Sequence, residues 1–281
     1  MRPRTLTIAV SPVLTGSGLA LADIGHVDPV VALAALIGAV AIQAGTNLYN
    51  DVADFLKGGD QPMRQGPARV TAQGWASPGQ VTLAASVCFV LAALSGLLLV
   101  HAGGWPILAL GLTSLLIGWS YSFGPRPIAY TPLGEIFVVA FFGLGAVGGS
   151  YYLQTQTLTG PVVSVSLALG LIGAGVLIAN NYRDLEPDRL VGRRTLAIMV
   201  GPKCSKILYG LFLFVPIALA VPPLGPNGGA LALVLLPFAI RLSMQFASSA
   251  RGSAFNALLT ATAKYQFAFA VLIVLAANTW R

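Results

Sequence analysis

The chain alternates long apolar runs with short polar breaks. Runs bounded by turn residues or charges predict helices at about 6–22, 29–50, 78–101, 105–122, 132–153, 161–182, 205–222, 229–246 and 262–280. Each approaches the roughly 20 apolar residues that cross a hydrocarbon core. Little chain remains between them. The expectation is one all-α transmembrane domain over residues 1–281, with nine crossings and no separate soluble unit. Arg2 and Arg4, the first apolar run and Ala20-Leu21-Ala22 have the outline of a cleaved leader. Pro12, Gly16 and Gly18 interrupt that run, and another follows at once, so a retained first helix is expected.

Composition agrees. The chain is 56% hydrophobic and 9% charged, against about 25% charged for a soluble domain. The net charge of +7 would suit nucleic acid in a soluble protein. In a membrane protein it marks cytoplasmic loops instead, and no nucleic-acid partner is expected. With the N-terminus in the cytoplasm, 15 of the 16 Lys and Arg fall on that side. The opposite loops (23–28, 102–104, 154–160 and 223–228) hold none, and only Arg281 lies outside the pattern. The alternation supports nine crossings, N-in and C-out. Cys88 and Cys204 lie far apart, so no disulfide framework is expected.

The nine acidic residues are distributed unevenly. Asp51, Asp54 and Asp60 follow the second run; Asp184, Glu186 and Asp188 follow the sixth. Both clusters carry Asn-x-Tyr-x-Asp, as Asn47/Tyr49/Asp51 and Asn180/Tyr182/Asp184. An internal duplication accounts for this, helices one to four and five to eight, with a ninth helix added. Asn47, Asp51 and Asp54 share a helical face by their spacing, and so do Asn180, Asp184 and Asp188 if the helix passes Pro187. Two carboxylate faces at one depth repel unless a cation lies between them. Hard oxygen donors suit Mg²⁺, which binds through a few carboxylates and a substrate's phosphates. Ordinary solvated loop acids are the competing account, but those would scatter over all loops. Asp60, after Gly58-Gly59, also fits a turn. Lys57, Arg64 and Arg69 follow the first cluster, and Arg189, Arg193 and Arg194 the second. Cations of this kind fit phosphate oxygens, although topology alone also makes such loops basic.

Asn50-Asp51-Val52-Ala53-Asp54 resembles the N-D-x-x-D motif of the intramembrane aromatic prenyltransferases, the superfamily of the 4-hydroxybenzoate polyprenyltransferases. Asp184 to Asp188 resembles its D-x-x-x-D. Four stretches resemble the 1,4-dihydroxy-2-naphthoate prenyltransferase branch of menaquinone synthesis. They are Arg2-Pro3-Arg4-Thr5-Leu6; Gly66-Pro67-Ala68-Arg69-Val70-Thr71 to Ser77-Pro78; Gly143 to Tyr151-Tyr152-Leu153-Gln154; and Asn180-Asn181-Tyr182-Arg183-Asp184 through Gly192-Arg193-Arg194-Thr195-Leu196. Arg193 departs from that branch, which has Lys there.

The resemblance implies transfer of a polyprenyl chain from its diphosphate to an aromatic acid, with loss of pyrophosphate and CO₂, at the cytoplasmic side of a bacterial inner membrane. Its implied metal ligands for Mg²⁺ are Asp51, Asp54, Asp184, Asp188, Asn47, Asn50 and Asn180. The diphosphate candidates are Lys57, Arg126, Arg183, Arg193, Arg194, Tyr121, Ser122 and Arg2, with Asp60, Asn181 and Arg69 as further candidates. Tyr121 also fits an interfacial aromatic belt and Arg2 a topology signal. Sister acceptors (4-hydroxybenzoate, homogentisate, haem, a chlorophyllide) share the diphosphate chemistry. A secondary transporter is the rival from another class, but it would place ionisable groups deep in its helices.

Overall fold

The structure, a computed structural model, describes residues 3–58, 69–253 and 255–279. Its helices are α1 (Pro3–Ile24), α2 (Pro29–Leu56), α3 (Pro78–Ser120), α4 (Gly134–Val138), α5 (Gly149–Thr155), α6 (Gly160–Arg183), α7 (Leu185–Leu190), α8 (Leu196–Ala220), α9 (Pro226–Ser248) and α10 (Phe255–Asn278). There is no strand among the described residues. Eight helices are long and apolar enough to cross a membrane, counting Gly134–Thr155 as one. The protein is a multi-pass membrane protein. Leu83, Val87, Leu91, Leu98, Trp105 and Leu116 of α3 are exposed, a surface whose solvent is lipid.

Local chemistry explains where the helices begin. Asp28 accepts hydrogen bonds from the Val30 and Val31 amides at 2.8 and 3.2 Å, and Pro29 opens α2. Ser77 and Gln80 form a capping box at α3, with Pro78 as the first helical residue.

α3 has 43 residues, about 65 Å if it were straight and twice a hydrocarbon core. It is not straight. Gly104 has φ 67° and ψ −155°, a conformation open to glycine, and the chain turns back there. Phe89 on the first arm and Phe123 beyond the second both pack on Tyr49, with centroids 5.3 and 5.2 Å away. The two arms correspond to the predicted third and fourth helices. α8 begins at Leu196, nine residues before its expected start, because the helix carries on through a break at Gly201 (φ 76°). α10 begins seven residues early, at Phe255.

α6 is the centre of the second half. Leu169, Ile172 and Ile178 are fully buried, packed among α8, α10 and the 134–155 span. The middle of that span, Val139–Gly148, is a ten-residue π-helix. It passes so close to α6 that a Cβ on Gly143 would sit 2.5 Å from the Ser166 carbonyl oxygen. Small residues allow such contacts between membrane helices. α10 packs against α1, α6 and α9. α1 is packed into the bundle, with Ser11, Thr15 and Ala20 fully buried.

The repeated Tyr has a structural role in each half. Two positions from Asn and Asp on a helix, it faces away from them. Tyr49 donates to or accepts from Ser86 at 2.9 Å. Tyr182 packs on Phe246 and Phe255, with centroids 4.8 and 5.3 Å away. Each Tyr anchors its helix end from behind and turns the Asn–Asp face to the interior.

Candidate active site

Both acidic clusters open onto one cavity of about 1250 Å³. α2 supplies Asn47, Asn50, Asp51 and Asp54; α6 and α7 supply Asn180, Asn181, Arg183, Asp184 and Asp188; the intervening loops supply Arg69, Tyr121 and Arg193. The cavity runs along α2 from Asp54 to Ala35, about 28 Å at the helical rise per residue. Away from the clusters its wall is mostly apolar, with Leu94, Leu97, Leu112, Phe137, Phe141 and Phe142 among its residues.

Asp51, Asp54, Asp184 and Asp188 are all buried, between 2% and 7% exposed, too deep to be ordinary loop acids. α6 ends at Arg183, and Asp184 serves as the cap between it and α7. Pro187 does end the helical run early, but it falls in the first turn of α7, where its missing N–H costs nothing. Asp184 and Asp188 stay close because the Asp188 amide donates to the Asp184 carbonyl oxygen at 2.8 Å.

Buried carboxylates require partners, and three arginines provide them. Arg183 forks onto Asp184 at 2.9 and 2.5 Å, then reaches Asn180 at 2.9 Å and Asn256 of α10 at 2.8 Å. Arg69 joins Asp51 at 3.4 Å and also contacts Asp54. Arg193 joins the clusters directly, touching Asp54 and donating to Asp188 at 3.1 Å. The cation that the sequence places between two carboxylate faces is, in this structure, a guanidinium. Two carboxylates raise the Arg193 pKa against its burial. Burial pushes Asp188 up to about 6, although Arg193 pulls it down.

The loop before Ser77-Pro78 closes the first cluster. Arg69 and Thr71 return to α2, where the Thr71 hydroxyl donates to the Asp51 carbonyl oxygen at 3.2 Å. Ser122 is buried and accepts from the Asn50 amide at 3.3 Å. Lys57, Arg126 and Arg194 are exposed and do not line the cavity. The Lys57 ammonium instead sits 4.3 Å above the ring of Tyr130. Glu186 is 58% exposed and pairs with Arg251 at 2.9 Å. Arg2 and Asp60 lie outside the described residues.

Three residues of the site were given no role from sequence. Tyr130 holds the Arg193 guanidinium at 5.0 Å and Lys57 near its ring, and its carbonyl oxygen accepts from the Arg194 amide at 3.1 Å. Flanked by Pro127 and Pro132, it reads as plain loop. Asn256 was hidden by the late predicted start of the last helix. Glu135 belongs to neither acidic cluster of the sequence.

The donor set suits a hard divalent ion. Four carboxylates face three arginines, and Asp188 Oδ2 is buried without a hydrogen-bond partner. Among the described residues no three Asp, Glu, His or Cys side chains stand close enough to hold a metal, because guanidinium groups lie between the carboxylates.

Asp23 and Asp28, at the opposite end of the bundle, have other tasks. Asp23 accepts from the Tyr151 hydroxyl at 2.6 Å, and the Gln154 side chain bonds both backbone groups of Asp28 at 2.8 and 3.2 Å. The Tyr151–Gln154 stretch thus ties α5 to the far ends of α1 and α2.

Comparison with known proteins shows the family and agrees with the fold. Residues 9–272 match the UbiA prenyltransferase family. The chain is 40% identical over 207 residues to the 1,4-dihydroxy-2-naphthoate octaprenyltransferase of Escherichia coli, covering 72% of this chain and 67% of that one. It is 35% identical to the protein of that name in Mycobacterium tuberculosis, covering 85% and 82%. Among solved structures, a UbiA homolog from Aeropyrum pernix aligns with a TM-score of 0.72 at 16% identity, covering 98% of each chain. A homolog from Archaeoglobus fulgidus bound to DMAPP and Mg²⁺ aligns with a TM-score of 0.70 at 14% identity, covering 99% and 97%. The chain belongs to the UbiA prenyltransferase family.

Proposed function

We propose that the protein transfers a polyprenyl group from its diphosphate to 1,4-dihydroxy-2-naphthoate, releasing pyrophosphate and CO₂. One observation carries this reading: two carboxylate clusters meet at one end of a cavity whose remaining wall is mostly apolar and about as long as a membrane helix. A prenyl diphosphate has that same polarity. The names of the relatives supply the acceptor.

Asp51, Asp54, Asp184 and Asp188, with Asn47, Asn50 and Asn180, would hold Mg²⁺. When bound, Mg²⁺ supplies charge neutralisation that makes the diphosphate a leaving group. Arg69 and Arg193 are guanidinium forks whose geometry fits phosphate oxygens as well as carboxylates. Arg183 is committed to Asp184, Asn180 and Asn256 and keeps the second cluster in place. Tyr121 lines the cavity beside them.

The bond between the prenyl C1 and the diphosphate oxygen breaks, and its electron pair leaves with pyrophosphate. The allylic cation needs a dry site, which the leucine and phenylalanine wall supplies, and aromatic rings stabilise positive charge. The ring carbon bearing the carboxylate attacks C1. Loss of CO₂ returns its electron pair to the ring and leaves demethylmenaquinol, the reduced form of demethylmenaquinone. The chain would sit in a bacterial inner membrane with nine crossings, N-in and C-out, and with the acidic end of the cavity toward the cytoplasm.

Membranes containing the protein, given 1,4-dihydroxy-2-naphthoate and geranylgeranyl diphosphate, should form a prenylated product lacking the carboxylate, detected by mass spectrometry, only with Mg²⁺. Asp51→Ala and Asp184→Ala should each lower turnover by at least about 10³-fold, the loss of several kcal/mol of charge stabilisation. Product formation without Mg²⁺, or near-normal turnover in either variant, would refute the reading.

A further inference from the structure

Glu135 is 3% exposed and takes no part in the ion pairs of the site. It is the second residue of α4, and its side chain crosses to α6. There Oε1 accepts a hydrogen bond from the Asn181 amide nitrogen at 3.0 Å. Its other oxygen, Oε2, is buried with no partner among the described residues. An isolated buried acid of this kind is costly to keep, and the close approach of α4 to α6 rests on small residues instead: a Cβ on Gly134 would lie 3.1 Å from Leu177, and one on Gly173 3.0 Å from Val138.

The position of the pair is informative. Asn181 lines the cavity, as do Gly134 and Val138 on either side of Glu135. Along α6, Asn181 lies between Asp184, in the acidic cluster, and Leu177, in the apolar wall. The reacting carbon of a prenyl diphosphate, with its phosphates among the aspartates, therefore meets its acceptor at this level. Because the Asn181 nitrogen donates to Glu135, the amide has a fixed sense, and its oxygen, a hydrogen-bond acceptor, takes no part in that bond.

We infer that Asn181 is the polar contact for a hydroxyl of the aromatic acceptor, and that Glu135 is the positioning residue that fixes the Asn181 amide for this task. The inference rests on the aromatic-acceptor reading above and adds the residues that recognise the acceptor.

The test separates the acceptor from the diphosphate. In full-length protein at saturating prenyl diphosphate and Mg²⁺, Glu135→Ala should raise the KM for 1,4-dihydroxy-2-naphthoate about 10-fold, the worth of one hydrogen bond lost or misaligned. Binding of Mg²⁺-diphosphate, measured by calorimetry without acceptor, should stay within about 2-fold of wild type, the scale of an untouched contact. Glu135→Gln keeps an oxygen for Asn181 and should restore the acceptor KM to within about 3-fold. Asn181→Ala should raise the acceptor KM as well, and adding Glu135→Ala to it should change nothing more. An unchanged acceptor KM in Asn181→Ala, a parallel loss of diphosphate affinity, or multiplying effects in the double variant would overturn the inference. Should Glu135→Ala fail to fold, Asn181→Ala alone decides it. Wild-type turnover with a different aromatic acceptor would refute the naphthoate reading instead, and the same KM comparison then runs on that acceptor.

Discussion

Arg193 is where the two halves of the site meet. It stands 139 residues from Asp54 in sequence, yet its guanidinium joins Asp54 to Asp188, with Tyr130 beneath. Removing one partner of a buried ion pair leaves the other charge uncompensated. Arg193→Ala should therefore destabilise the protein by about 3 kcal/mol, read as a lower thermal unfolding midpoint in detergent. Arg193→Lys keeps the charge without the fork and should fall between wild type and Ala. An unchanged midpoint in Arg193→Ala would mean that the bridge carries no energy. The four aspartates were legible in sequence because charge is so scarce in this chain that two clusters stand out. The bridge was not. Arg69, Tyr130, Arg193 and Asn256 lie on four separate segments whose meeting depends on tertiary packing, and a basic residue in a loop resembles every other one until its partner is known.

At the scale of the elements, two glycines carry much of the geometry. Gly143 lets the π-helical stretch lie on α6, which brings Gly134 and Glu135 up to Asn181. A larger residue must push the two helices apart, so Gly143→Val should cost about 1–3 kcal/mol and lower both the unfolding midpoint and turnover. Gly104→Ala should cost about 1–3 kcal/mol through backbone strain alone, because a Cβ there would meet nothing nearer than Pro106 at 3.8 Å. Its effect should fall on stability and leave the acceptor KM unchanged. A Gly143→Val variant as stable as wild type would contradict the close-packing account. Apolar length and charge alternation located the helices, and the turn at 102–104 was legible from them. The π-helical stretch, the early start of α8 and the split between α6 and α7 were not. Each is decided by how one helix packs on another, whereas hydrophobicity reports only that a segment is buried in lipid or protein.

At the scale of the molecule, Asn-x-Tyr-x-Asp stands at the C-terminal ends of α2 and α6, and both helices bring carboxylates to one cavity. The proposed orientation makes that end cytoplasmic. In a variant with Cys88 and Cys204 replaced by serine, Thr157→Cys lies in an outer loop and Ala250→Cys at the acidic end, both at exposed positions. A membrane-impermeant thiol reagent should label the first in intact spheroplasts and the second only after permeabilisation. The opposite pattern would invert the topology and the side of the membrane that supplies the diphosphate.

The central claim is that the two clusters act as one site for a metal–diphosphate. Calorimetry of the purified protein with geranylgeranyl diphosphate and Mg²⁺ tests it most directly, because it needs no acceptor and no turnover. Wild type should bind only with the metal present. Asp54→Asn, on α2, and Asp188→Asn, on α7, should each lose the Mg²⁺-dependent binding while keeping the wild-type helical content. Binding at wild-type affinity in either variant would mean that one cluster suffices, and would contradict the shared site.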